Sequence, residues 1–212
     1  MFKCKAALAA LLPLAIVGCS SDGQLTATGI TVTRSACPAV GIPASTGDIT
    51  LFSPENSRDS SAIDVVAHIT NVRSTCDETG ENIVSTVNFE IRGQRRDAAG
   101  AREVVLPYFA VVVQGGTNVV SKSVSRVGLR FADGQLRASV TGTATGQVSR
   151  AAATLPEDIR HQITRERRPG DPQAAVDPMA DPAVRAAVER ARFELLVGFE
   201  LDQEQLRYNA TR

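Results

Sequence analysis

The chain contains no tryptophan, only two tyrosines and two methionines, and aromatic residues make up 4% of its 212 positions. That excludes a broad aromatic platform of the kind that stacks on bases or sugars. Charge of either sign is not in excess, with 23 basic and 23 acidic residues. Nucleic-acid binding needs a concentrated basic surface, so no nucleic-acid partner is expected. No G-x-S-x-G, S-x-x-K, H-E-x-x-H, Walker loop or dinucleotide-binding glycine pattern occurs. The aspartates Asp22, Asp171, Asp177 and Asp181 do not fall at calcium-loop spacing, and no C-x-x-C is present, so no metal site is expected. A run long enough to span a bilayer is also missing: residues 6–17 are apolar, about a dozen positions where a helix needs about 20.

What that short run does have is context. Lys3 and Lys5 precede it and Pro13 interrupts it, the layout of an export signal rather than a spanning helix. It ends in Ile16-Val17-Gly18-Cys19, which resembles the lipobox of bacterial lipoprotein precursors. The resemblance covers only the first 19 residues. It implies cleavage before Cys19, a diacylglycerol on the Cys19 thiol and an acyl chain on the new amino group. Each buried methylene contributes about 0.8 kcal/mol, so two or three chains anchor essentially permanently where one does not. In the same family an aspartate after the lipidated cysteine retains the protein in the inner membrane. Ser20 stands there instead, which implies an outer-membrane lipoprotein facing the periplasm.

Removing residues 1–18 takes Lys3 and Lys5 away, leaving 21 basic against 23 acidic residues. The mature chain is then close to neutral and has no electrostatic means of holding a membrane. Cys4 leaves with the signal, and Cys37 and Cys76 remain as a pair 39 positions apart. In a compartment that permits disulfides, a structural bridge is the expected use of such a pair.

Period-two alternation marks the strands. At residues 136–148 the even positions are Leu, Ala, Val, Gly, Ala, Gly and Val, while the odd positions between them are polar throughout. One face is apolar or small and the other wholly polar, and Gly142 and Gly146 suggest a close approach of another backbone or sheet. Ile83, Val87, Phe89 and Ile91 alternate in the same way, as do Ile63, Val65, Ala67 and Ile69. Residues 104–113 are apolar on both faces and should be buried, with Pro107 requiring a bulge or an unpaired edge. Between residues 120 and 131 the apolar phase moves from even (Val120, Val124) to odd (Val127, Leu129, Phe131), the shift that a β-bulge produces. Asp97-Ala98-Ala99-Gly100, Gly115-Gly116 and Asp133-Gly134 separate these runs at hairpin spacing. With weaker strands near residues 30–33 and 48–52, the count reaches about seven. The expected fold is mainly β, an antiparallel β-sandwich with an immunoglobulin-like arrangement, with a small barrel as the alternative.

Past residue 150 the pattern turns helical. Thr154-Leu155-Pro156-Glu157 reads as a capping box opening a polar helix. A second helix is expected from Pro182, with Val184, Ala187, Val188, Ala191 and Leu195 on one face. Phe193, Leu195, Val197, Phe199 and Leu201 also alternate as a strand would, so residues 193–201 stay open between helix and strand. Asp202 and Gln205 form a further capping pattern. The expected organisation is a signal at 1–18, a lipidated tether at 19–27, a β-sandwich at 28–150 and a helical C-terminal extension at 151–212 that packs on the sandwich or on a partner.

The candidate functional residues are few. Arg92, Arg95, Arg96 and Arg102 crowd one hairpin tip, where they would suit an acidic partner or anionic headgroups. Phe193, Phe199 and Tyr208 make the C-terminal segment a second candidate partner surface. His68 shares the polar face of a strand with Asp64 and Thr70, the one arrangement that could orient a nucleophile. The leading functional expectation is a non-enzymatic envelope lipoprotein, without catalytic residues or a cofactor beyond its covalent lipid, whose partners are the membrane and another envelope protein. The alternatives are a carrier for a small hydrophobic or lipid ligand, and a hydrolase using His68.

Overall fold

A computed structural model of the chain describes residues 23–26, 29–32, 35–165, 170, 172 and 176–211. It comprises two compact units, residues 1–34 and residues 35–212. In the first, β1 (Gly23–Thr26) and β2 (Gly29–Val32) pair as an antiparallel hairpin. Residues 23–26, expected within the tether, are thus extended and paired. The strand near Ile30 belongs to this unit and not to the sandwich.

The second unit is a β-sandwich. Its strands are β3 (Ala39–Gly41), β4 (Asp48–Phe52), β5 (Ile63–Asp77), β6 (Asn82–Arg95), β7 (Arg102–Gln114), β8 (Asn118–Phe131), β9 (Arg137–Ser149) and β10 (Phe193–Phe199). One sheet has the order β4-β5-β6-β9 and is antiparallel throughout. The other has the order β3-β10-β7-β8 and is antiparallel except for the β3–β10 pair. The expected mainly antiparallel sandwich is therefore present, with eight strands where about seven are read from the sequence. It is a two-layer sandwich, its β4-β5-β6 run a meander, and neither sheet closes into a barrel.

The alternation in the sequence is the alternation of the core. Val65, Ala67, Ile83, Val87, Phe89 and Ile91 of the first sheet meet Leu106, Val112, Leu129, Leu195 and Phe199 of the second, all nearly inaccessible to water. Tyr108 reaches across the sandwich as well: its ring packs edge-on against Phe89 and its hydroxyl donates to the Thr143 carbonyl at 2.9 Å. A buried tyrosine keeps its polar end partnered in this way. Gly142 and Gly146 mark close approaches. A Cβ at Gly142 would lie 2.4 Å from the Phe89 ring, and one at Gly146 would lie 2.9 Å from both Leu195 and Val112 of the opposite sheet. Pro107 sits where β10 has just ended. Its carbonyl accepts from the Glu200 N–H at 3.0 Å, and the only ladder bond its missing N–H forfeits is the reciprocal one to Glu200, just past the end of β10.

Three expectations are corrected here. Residues 193–199 are a strand, β10, because β7 offers a full antiparallel ladder from Gln114 to Tyr108 and the core takes Phe193, Leu195, Val197 and Phe199. The sandwich thus continues past residue 150, and the C-terminal stretch supplies one of its inner strands instead of being a purely helical extension. The capping box at Thr154 does not form: α1 is Arg150–Ala153, the Thr154 hydroxyl donates back to the Arg150 carbonyl, and α2 (Glu157–Thr164) starts after Pro156 with no side-chain cap. Finally, the phase shift within β8 is not a bulge at that point. The extra residue is Val120, between the Val113↔Val119 and Val112↔Ser121 pairs, and the register from Ser121 to Phe131 is unbroken.

The remaining helices follow their sequence signals. Asp181 caps α3 (Pro182–Arg190) through the Ala183 N–H, and Val184, Ala187 and Val188 pack with Ile159 of α2 in a small separate apolar cluster. Asp202 and Gln205 form a reciprocal capping box at the start of α4 (Gln203–Thr211), with bonds of 2.7 and 3.0 Å. Among the described residues no helix is long and apolar enough to cross a membrane.

Candidate functional site

Cys19, the expected lipid attachment site, lies outside the described residues. Cys37 and Cys76 are joined as a disulfide. The bond ties the segment just ahead of β3 to the far end of β5. The Glu78 carboxylate approaches the Cys37 sulfur at 2.8 Å and accepts from the Ser35 hydroxyl at 2.6 Å. Cys37, Cys76 and Glu78 thus bring three donor atoms together. With the sulfurs bonded to each other, neither is the thiolate that a metal takes as a ligand.

The arginine-rich tip is not a free basic patch. Arg95 lies on the inward face of β6, in phase with Ile91 and Gly93, and is 2% exposed. Its Nε donates to the Gln135 carbonyl, Nη1 to Gly100, and Nη2 to Ala98 and Ala132, at 2.6–3.0 Å. The cation also stands 5.4 Å from the centre of the Phe131 ring. Arg92 pairs with Glu90, Arg96 donates to the Ser61 carbonyl, and Arg102 grips Asp64 with both nitrogens at 2.6 and 2.9 Å. A partner surface built on all four is therefore ruled out by the burial of Arg95 and the pairing of the others. Phe193 and Phe199 are likewise withdrawn as partner contacts: they are 6% and 0% exposed because β10 is an inner strand. Tyr208 packs edge-on against Phe52, 5.2 Å between ring centres, and so fastens α4 to β4.

The bidentate hydrogen bond from Arg102 holds the Asp64 carboxyl below its ordinary 3.8, against a smaller opposing effect of burial. A depressed carboxylate stabilises the fold above its unfolded pKa, and this contribution is lost as pH falls through the folded value. The carboxyl carbon of Asp64, followed by NMR, is expected to titrate below pH 3.8 in the wild type and to move back towards that value in Arg102→Gln.

His68 and Asp48 face each other across β4 and β5, with Nδ1 and Oδ1 2.5 Å apart. The histidine partner is thus Asp48, 20 positions away, and not Asp64, which Arg102 occupies. His68 is more than half exposed. His68 lines neither of two open clefts at the surface of the described residues. The larger, about 440 Å³, lies over the outer face of β5, β6 and β9 and is lined by Asn71, Arg73, Asn88, Glu90, Ser139 and Thr141. It sits at the interruption of the β5–β6 register, where Asn71 adopts a left-handed φ of 53°. The smaller, about 230 Å³, runs between β4 and the start of α4 beside Phe52, Arg58 and Arg102.

Among the strands of the sandwich, β8 has the longest uninterrupted exposed run. Its pairing partner on one side is β7, and it forms the outer edge of its sheet. Residues 118–126 are exposed without interruption, among them Val119 at 59%, Val120 at 50% and Val124 at 52%. The inward row at this end is Ser121, Ser123 and Ser125, paired opposite Val112, Ala110 and Tyr108 of β7. Further along, the same row becomes Leu129 and Phe131, which are fully buried. The inner face of β8 is covered by the opposite sheet only in its second half. This feature is absent from the expectations drawn from the sequence, although the serines on the inward phase were its signal. Comparison of the chain with protein-family models, with characterised proteins and with solved structures finds no match.

Proposed function

We propose that the chain is the precursor of a lipid-anchored envelope lipoprotein, held through Cys19 on the periplasmic side of the outer membrane, whose β-sandwich is a non-catalytic interaction module. The observation that carries the module reading is β8, a 14-residue strand with an open edge and exposed valines along its first half. A long unpaired edge that exposes valines offers a template on which another strand can pair. The lipobox at residues 16–19 supports the anchor, and the Cys37–Cys76 bond fits an oxidising compartment. The His68–Asp48 pair is a solvated cross-strand contact in this reading.

Two measurements test it. In fractionated cells Cys19→Ser is expected to move the protein from the membrane to the soluble periplasmic fraction, and a variant that stays with membranes to the wild-type extent would disprove the lipid anchor. A photo-crosslinking residue placed at Val119 or Val124 is expected to capture a distinct envelope protein, while the same residue at Thr145 on β9 captures none. Absence of any β8 adduct would remove the module reading.

A further inference from the structure

The four sheet edges of the sandwich are unequal. β3 is three residues long and β4 five. The β4 edge is also clasped by α4, through the Tyr208–Phe52 contact and through the Asn209 amide, which donates to the Ser45 and Asp48 carbonyls at 2.9 and 2.7 Å. The outward row of β9 consists of hydroxyl, amide and arginine side chains, and its inward row is Ala, Gly and Val packed into the core. β8, at 14 residues, combines length, an open edge and exposed valines.

Its charge is one-sided. Residues 118–131 contain Lys122, Arg126 and Arg130 and no carboxylate. The three cations share the outward face of β8, at four-residue intervals about 13 Å apart, opposite Val111, Pro107 and Glu103 of β7. Lys122 is held by Glu200 and lies over the Phe109 ring, and Arg130 is held by Glu103. Arg126 has no partner among the described residues, and it adjoins the exposed Val124 on the same row. A second copy of this chain pairing about Lys122 or Val124 would set cation opposite cation, which is unfavourable. An incoming strand that places a carboxylate opposite Arg126 and an aliphatic side chain opposite Val124 gains both contacts, in addition to the backbone ladder.

We infer that β8 is a strand-addition edge that receives an extended acidic segment of another envelope polypeptide, with Arg126 selecting its charge and Val124 its apolar neighbour. The inference rests on the interaction-module reading and assigns the chemistry of its partner. Strand addition supplies affinity through main-chain hydrogen bonds and specificity through alternate side chains. The row of cations also discourages edge-to-edge pairing of like copies.

The test uses the full chain carrying Cys19→Ser and two synthetic ten-residue probes in which the residues of one face alternate between a charged residue (Glu in the Glu/Val probe, Lys in the Lys/Val probe) and Val, while those of the other face are Thr. Amide hydrogen exchange is expected to slow across residues 118–126 with the Glu/Val probe and to stay unchanged with the Lys/Val probe. Arg126→Glu is expected to weaken Glu/Val binding by about tenfold, the scale of one charge contact reversed, with an unaltered melting temperature. Should that variant fold poorly, a Glu/Val probe N-methylated at alternate residues, which cannot complete a ladder, is expected to bind at least about tenfold more weakly to the unaltered strand. Equal protection by both probes, protection confined to other strands, or undiminished binding of the N-methylated probe would each overturn the inference. So would protection of residues 118–126 in the probe-free chain together with a dimer in solution, which would make the occupant a second copy. These failures leave the β8 crosslinks to the envelope partner unaffected, so they are distinct from failure of the module reading itself.

Discussion

Replacing Arg95 by methionine is expected to destabilise the sandwich by about 3 kcal/mol, although no carboxylate among the described residues pairs with it. Its guanidinium donates to four carbonyls, two in the turn between β6 and β7 (Ala98 and Gly100) and two in the turn between β8 and β9 (Ala132 and Gln135). Each hydrogen bond to a charged group contributes about 1.5–3 kcal/mol, and burying the cation costs several kcal/mol of that total. Methionine fills much of the volume and leaves the four acceptors to whatever water can reach them. The Gly100 N–H also donates to the Asp133 carboxylate at 2.8 Å, so the two turns would stay linked but lose their common centre. Lysine is expected to fail nearly as badly, because an ammonium has three donors and no planar fork with which to span four carbonyls. In urea, the transition midpoint should fall with an unchanged slope, and the melting temperature should drop by about 10 °C for a domain of this size. A methionine variant within about 1 kcal/mol of the wild type would show that the turns organise without the cation.

The larger expected effect belongs to the disulfide. Replacing Cys37 and Cys76 together by serine is expected to cost about 4 kcal/mol, the chain-entropy value for a loop of 39 positions and an upper-end figure. The closed loop contains β3, β4 and nearly all of β5. β3 is only three residues, held to the edge of β10 by a short parallel ladder. In the bridged chain its ends are already constrained near their destination when the protein is unfolded. Without the bridge that restriction is lost, and the shortest strand has little of its own to replace it. Because the effect acts mainly on the unfolded chain, the far-ultraviolet circular dichroism of the folded variant should be unchanged while its denaturation midpoint falls. A midpoint equal to that of the oxidised wild type would mean that the unfolded chain keeps residues 37 and 76 close without a covalent link.

Much of the architecture is legible in local pattern, and the exceptions have particular causes. The strands β5, β6 and β9 were readable because one face of each is apolar and the other polar, and each sheet has one wet side. Gly115, Gly116 and Gly134 all adopt positive φ at the turns their positions predicted. β10 was ambiguous because a seven-residue apolar stretch satisfies a strand and a helix face alike. The ladder with β7 resolved it, and that ladder joins residues some 80 positions apart. The arginine tip misled because four cations close in sequence look like one surface. On a strand, parity matters more than proximity: Arg95 shares its phase with Ile91 and points inward, whereas Arg92 and Arg96 have the opposite phase. The partner of His68 could not be read locally, since Asp48 reaches it only through the pairing of β4 with β5.

The sequence by itself therefore determined which segments alternate, where the chain turns and which two cysteines are available to bridge, because these follow from the preferences of residues close together in the chain. It also carries Ile16-Val17-Gly18-Cys19, whose resemblance to a lipobox fold geometry does not address. Only the tertiary structure decided what covers each apolar face. It made β10 an inner strand, took Arg95 into the interior and left the first half of β8 uncovered, with serines turned to the inside and valines to the outside. The reason is that burial depends on which distant element arrives at a face, and the period of a strand records that a face is apolar without recording what covers it.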